Sequence, residues 1–449
     1  MSRVTSHIGL ISTSRSWIFV ANIAARGTGF LMTFLISRVL GTHALGEYSS
    51  LMSTVSSAIQ PFAQATSNNT ILLVHRVEDD AASVRSMTIA SLLVTIGLSA
   101  ISLLIFLTLR RVAESHDDGT TIWLDDAAGA AFVIGQLAGA VLLGAYYGTG
   151  KFVEGAKLST VASVFTIVAA PLAIVTYGLS GAYVMVAFSA LMPPCALAYR
   201  LFSLSGAWQA FRAADFMPVA RQFVTNLPSI ARAGVATASF WLCTVFFVQQ
   251  SFGVEGVGVV AVAVQWLTFI LLATSSWHGL TLKALAEAAS SRKVETVTAT
   301  MRSLLKRNLL VTVAGALSVA AAADIIADSY GLGHTQLALL LRLNCCVALI
   351  AACNETFEQL MLALNLQSLW FLSSLAAFGV QVGITAVFIN TGLPAVIWAS
   401  LAGAGTLLLC CTLACMMLAG KALQRSSAGA LNSSDRGGEL HAGSSRRDI

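Results

Sequence analysis

Long apolar runs of similar size, separated by short polar interruptions, set the pattern of this chain. Twelve stretches of roughly 18 hydrophobic residues or more fall near 17–36, 45–73, 87–109, 127–147, 158–177, 181–199, 226–248, 258–280, 308–327, 335–362, 368–389 and 394–418. As a helix, each is long enough to cross a hydrocarbon core about 30 Å thick. A segment in lipid must satisfy its own backbone groups, so runs of this length predict helices rather than open strands. Pro61 and Pro171 lie inside two of the runs and predict kinks or tilt there. Gly135 with Gly139, and Gly379 with Gly383, have the four-residue spacing that lets neighbouring helices approach closely.

The polar interruptions divide the chain. The segment RLFSLSGAWQAFRAADFMPVARQF follows the sixth run, and the residues after Gly420 are rich in Ser, Gly and charge. The expected organisation is a six-helix bundle over 1–205, a cytoplasmic linker over 206–225, a second six-helix bundle over 226–420 and a disordered cytoplasmic tail over 421–449. The halves echo each other. Leu40-Gly41-Thr-His-Ala-Leu-Gly46-Glu-Tyr48 in the first matches the Gly-to-Gly spacing of Phe252-Gly253-Val-Glu-Gly-Val-Gly258-Val-Val260 in the second. Six spans per repeat is an even number, so the repeats would be parallel, related by an axis along the membrane normal, with a central cavity between them. The expected fold class is an all-α integral membrane protein of about twelve transmembrane helices.

Composition supports this. Hydrophobic residues make up 56% and charged residues 10% of the chain, and the mean hydropathy is +0.78, far from the roughly 25% charge of soluble domains. The eight cysteines lie in or at the ends of apolar runs, as small core hydrophobes do, without the spacing of a disulfide framework or a zinc site. The polar opening MSRVTSHIGLISTSRSW does not resemble a cleaved signal peptide, so the first span should insert the chain itself. With the N-terminus inside, 20 of the 26 lysines and arginines fall on the cytoplasmic side, against Arg38, Arg110 and Arg111 outside. That asymmetry predicts cytoplasmic N- and C-termini. No nucleic-acid partner is expected.

Three arginines break the apolar pattern: Arg26, Arg232 and Arg342. A guanidinium stays charged, and placing one at mid-bilayer costs about 3 kcal/mol on the mildest scale, so each should face protein or a water-filled interior. The functional reading is a cationic cavity for an anion, with Asn22 one turn before Arg26. The bland readings are a structural acid partner for Arg26, snorkelling for Arg232 and pairing with Asp324 or Asp328 for Arg342. Glu355 and Glu358 share a helix face and are candidates for coupling to a proton or Na⁺, as is Glu47; hydration near the membrane boundary is the alternative. Asn68, Asn69, Gln249, Gln250, Gln265 and Asn344 suit sugar contacts or, more commonly, hydrogen bonds between helices. The acidic pairs Asp117-Asp118 and Asp125-Asp126 fit a solvated outer loop better than a metal site. With no P-loop, HExxH or GxSxG motif, the chain reads as a non-enzyme without a cofactor.

The run from Leu35 to Tyr48, with Arg38, Leu40, Gly41, Gly46 and Tyr48 in place, resembles the R-x-L-G-x-x-x-x-G-x-Y signature after the first helix of polysaccharide (Wzx-like) flippases. These belong to the multidrug/oligosaccharidyl-lipid/polysaccharide (MOP) exporter superfamily. Tyr147-Gly-Thr-Gly150-Lys-Phe152, Asn226-Leu-Pro228 and the LKALAE ending of the eighth run follow in order. Val260 stands where the second-half tyrosine is common, and Leu282-Lys283 where a proline commonly follows the eighth helix. The resemblance covers most of residues 15–420 and implies a flippase in the bacterial inner membrane. It would move undecaprenyl-diphosphate-linked oligosaccharide units for O-antigen, capsule or exopolysaccharide, among membrane lipids and with a polysaccharide polymerase as a further candidate partner. The alternatives are a multidrug exporter of the same superfamily and, less well matched, a membrane polysaccharide polymerase.

Overall fold

The computed structural model describes residues 20–416 apart from 22, 25, 78–79, 114–121, 203–212, 292, 332–333 and 365. Among the described residues there is no strand, and nine helices are long and apolar enough to cross a membrane. Three of these are too long for a single crossing: Arg26–His75 and Val153–Phe202 have 50 residues each, and Leu227–Ile270 has 44. Fifty residues extend about 75 Å, more than twice the hydrocarbon thickness. Each of the three is two spans joined at a glycine, Gly41 (φ 90°), Gly178 (φ 61°) and Gly253 (φ 70°). Only glycine adopts this backbone conformation readily. Counting the pairs separately gives the twelve spans that the apolar runs predict.

We number the spans α1 (26–40), α2 (Gly41–His75), α3 (Ala81–Ala113), α4 (Ile122–Gly148), α5 (153–177), α6 (179–202), α7 (227–252), α8 (254–270), α9 (Val294–Ala321), α10 (His334–Ala363), α11 (Gln367–Phe388) and α12 (Pro394–Met416). They form two sets of six, α1–α6 and α7–α12. The chain passes between the sets through a short amphipathic helix, Phe216–Thr225, which buries Val219 and Phe223 beside Leu73 of α2 and Ala90 of α3. α9 begins some fourteen residues before the apolar run near 308, because its first turns, rich in Thr, Lys and Arg, continue the helix beyond the apolar stretch. Pro61 lies within α2 and Pro171 within α5, but the breaks fall at the glycines instead.

Consecutive spans alternate in direction, so the turns α1–α2, α5–α6, α7–α8, α9–α10 and α11–α12 lie at one end of the molecule. All five contain a positive-φ glycine: Gly41, Gly178, Gly253, Gly331 and Gly392. At this end the two sets meet backbone to backbone. A methyl group on Gly46 would lie 2.1 Å from the Val254 carbonyl oxygen, and one on Gly258 would lie 3.0 Å from the Gly46 nitrogen. The second glycine of each repeated motif is therefore what allows α2 and α8 to touch. Arg38 donates to the carbonyls of Ser329 and Asp328, and Ser37 donates to that of Tyr330, which ties the end of α1 to the α9–α10 turn. Carbonyls in the last turn of a helix lack intrahelical donors, and a cation suits them. Trp241 of α7 adds a hydrogen bond to Thr54 of α2 at 2.9 Å.

All eight cysteines are free; Cys243, Cys345 and Cys411 are buried, while Cys195 and Cys346 are exposed. Asp125 and Asp126 lie in the first turns of α4 rather than in an outer loop, and both pair with Arg110 of α3, at 3.2 and 2.9 Å. Acidic groups are favoured at a helix N-terminus, and Arg110 compensates their partial burial. Asp117-Asp118 lies outside the described residues.

Candidate substrate site

One segment of α10, Asn354-Glu355-Thr356-Phe357-Glu358-Gln359, reaches several surrounding helices. Asn354 donates to the Ala404 carbonyl of α12 at 3.0 Å, and Thr356 accepts from Asn308 of α9 at 3.1 Å. Glu358 pairs with Arg232 of α7 at 3.2 Å. Glu355 faces Thr274, which follows α8, and interacts electrostatically with Arg26 of α1. The residues differ in direction because each step along a helix rotates the side chain by about 100°.

Arg232 is largely enclosed, with its side chain 13% exposed, and Glu358 is 15% exposed. The guanidinium carbon lies 3.4 Å from the ring centroid of Trp370, a buried residue at the start of α11. A planar cation stacked on an indole is held in orientation as well as attracted. Arg232 reaches Glu358 through one nitrogen, Nη2, while its Nε has no hydrogen-bond partner among the described residues; the same holds for Oε2 of Glu355.

Arg26 crosses from α1 to the point where α8 stops. α8 ends at Ile270, and a five-residue helix, Leu272–Ser276, follows. Arg26 donates to the Thr268 carbonyl at 3.3 Å and to Ser275 Oγ at 3.5 Å. Thr268 lies in the last turn of α8, where the break leaves carbonyls without helical donors. Next to Arg26 the helix is bare: a methyl on Gly27 would meet nothing within 4 Å, and one on Gly29 only the Gln265 side chain at 3.4 Å.

Four of the sequence-predicted site residues, Arg26, Arg232, Glu355 and Glu358, thus gather on one α10 segment. Arg342 and Glu47 do not join them. Arg342 lies thirteen residues earlier on α10, about 20 Å along the axis, and pairs with Asp324 at 2.6 Å with half its side chain exposed. Glu47 lies at the glycine-rich end, 3.5 Å from His43. Asn22 lies outside the described residues. Among the polar residues read as sugar contacts or interhelical bonds, Asn69 is bonded to Asn226, Gln249 donates to the Ala113 carbonyl and Gln265 accepts from Thr33 at 2.6 Å. These are interhelical bonds. Sequence reasoning missed Trp370 and the hydroxyl run Thr274-Ser275-Ser276. Their only sequence signal, an aromatic and small polar residues near a span end, is common to membrane boundaries in general.

No protein-family model matches the chain, and no curated protein matches it in sequence. Solved structures match it over nearly their whole length. An inward-facing conformation of a multidrug resistance MATE family transporter of the MOP superfamily has a TM-score of 0.72 at 16% identity, covering 91% of this chain and 99% of that one. An outward-facing conformation of a transporter described in the same terms scores 0.62 at 15% identity, covering 92% and 97%. A MOP superfamily transporter from Pyrococcus furiosus scores 0.64 at 14% identity, covering 92% and 96%; reverse polarity of its binding pocket is taken to suggest a different function for it. The chain is a multi-pass membrane protein with the fold of MOP superfamily transporters.

Proposed function

We propose that the chain is an alternating-access transporter that flips undecaprenyl-diphosphate-linked oligosaccharide units across the bacterial inner membrane for surface-polysaccharide synthesis. The observation that carries this reading is the convergence of Arg26 and Arg232, from the first helix of each half, on one α10 segment. A lipid-linked sugar brings a diphosphate that hydrocarbon excludes, a polar glycan, and a tail able to stay in the bilayer. Guanidinium groups match phosphate oxygens in charge and geometry. The bare surface at Gly27 gives the headgroup room, Asn22 would accompany it one turn away, and Arg342 would meet it later along α10. The Pyrococcus transporter offers a precedent for a changed pocket polarity on this fold.

The end where Gly46 and Gly258 meet is the basic-poor end, so with both termini cytoplasmic a cavity between the halves would open inward. The higher TM-score to the inward-facing structure supports that state. Glu355 and Glu358 are the proposed carriers of ion coupling by proton or Na⁺, with Glu47 a third candidate, and a polysaccharide polymerase would consume the product. Moving a lipid-linked unit between leaflets needs no covalent chemistry.

The test is accumulation of lipid-linked repeats on the inner leaflet in a deletion strain, with complementation. Arg26→Ala should fail to restore export, and Arg26→Lys, which keeps the charge but loses the planar fork, should restore a fraction. Full export by the Ala variant at normal expression would remove Arg26 from the site. The second reading, export of cationic drugs, draws on the MATE neighbours and the α10 carboxylates. It predicts drug sensitivity in the deletion strain with no lipid-linked intermediate accumulating.

A further inference from the structure

We propose that Glu358 is the site's resident anion: in the empty carrier it neutralises Arg232, an arriving diphosphate displaces it, and its return expels the diphosphate. This rests on the anionic-cargo reading and adds how the same site is emptied.

The argument starts from cost. An arginine enclosed between membrane helices without a counter-ion is strongly unfavourable, so a carrier that must reset empty needs its own negative groups beside the arginines. α10 supplies one to Arg232: Glu358, at 3.2 Å. A diphosphate cannot simply join this arrangement. A carboxylate and a multiply charged headgroup in a site of low dielectric repel one another, and the less firmly held anion leaves.

The Arg232–Glu358 pair is built to exchange. Strong arginine–carboxylate pairs are bidentate. Here Arg232 uses Nη2 at 3.2 Å, and its Nε has no partner. The stack on Trp370, 3.4 Å from the ring centroid, holds the guanidinium plane independently of the carboxylate, so the cation stays in place when Glu358 withdraws. Arg26 is likewise anchored by groups other than Glu355, the Thr268 carbonyl and Ser275. The cations are fixed by their own helices and their neighbours. Glu358 belongs to α10 and Arg232 to α7, so a movement of α10 withdraws or restores the carboxylate while the stacked guanidinium stays. Thr274 faces Glu355, Cys411 lies near Arg232, and Asn308 donates to Thr356 between the two glutamates.

The test uses the full-length protein in detergent or nanodiscs, with inorganic pyrophosphate as the calorimetric probe and lipid-linked oligosaccharide in a liposome flipping assay. Glu358→Gln keeps shape and removes the competing charge, so pyrophosphate should bind about tenfold more tightly than to wild type while flipping turns over more slowly. A fall in both KM and kcat is a split that lost packing would not produce. The wild type carries a further test: adding pyrophosphate should change its infrared carboxylate bands, and sodium sulfate at equal ionic strength should not. Pyrophosphate binding that is unchanged or weaker in the folded Glu358→Gln variant, or that leaves the wild-type carboxylate bands unmoved, overturns the exchange while leaving an anionic cargo intact. No pyrophosphate binding to wild type or variants overturns the anionic reading itself, and the exchange with it.

Discussion

Arg232 and Arg342 look alike in the sequence, each a lone cation in an apolar run, yet they occupy opposite environments. Arg232 is 13% exposed, stacked on Trp370 and paired with a carboxylate from another helix that is itself 15% exposed. Arg342 is 49% exposed and pairs with Asp324, which is 67% exposed. The Arg342 pair is the shorter, 2.6 Å against 3.2 Å. Length is therefore a poor guide to what each pair is worth. Desolvation decides, because removing one partner of an enclosed pair leaves a stranded charge, whereas removing one partner of an exposed pair leaves a hydrated one.

The largest expected effect follows directly. Arg232→Ala removes the guanidinium from the enclosed pair and should destabilise the protein by about 3–5 kcal/mol, whereas Arg342→Ala should cost under about 1 kcal/mol. Thermal unfolding in detergent measures both, and equal shifts would erase the distinction. A double-mutant cycle sharpens it. Arg232→Ala with Glu358→Gln should be less damaging than the sum of the single changes by about 1–3 kcal/mol, and Arg342→Ala with Asp324→Ala should be additive within about 0.5 kcal/mol. The smallest effect concerns the ring beneath Arg232. Trp370→Leu keeps the position apolar and should cost about 1–2 kcal/mol with loss of part of the anion affinity. An unchanged affinity would show that the stack does not orient the guanidinium.

The twelve spans were legible because length and polarity are enough where lipid forbids unsatisfied backbone. The turns were partly legible: Gly41 and Gly253 stood out through the repeated spacing, and the structure adds Gly178, Gly331 and Gly392 in the same role. Periodicity could not say which face of α10 meets which helix, so the carboxylates at 355 and 358 read as a pair, whereas Glu358 pairs with Arg232 of α7 and Glu355 faces Thr274. Arg342 and Asp324 were already a possible pair from sequence, whereas the difference in exposure between Arg342 and Arg232 depends on packing more than a hundred residues away. Asp125 and Asp126 misled because a short acidic stretch after Arg110 and Arg111 reads as loop, while the ion pair to Arg110 lets the helix start earlier.

The single-glycine joints at Gly41, Gly178 and Gly253 bear on how the chain is made. With almost no loop between partners, α1 with α2, α5 with α6 and α7 with α8 cannot be threaded into the bilayer far apart in time. Each pair should leave the insertion machinery as a preformed helical hairpin, its second helix pulled in by the first. A β-branched residue at one of these joints would then act during synthesis, leaving a half-inserted hairpin for quality control to remove before any transport could be measured.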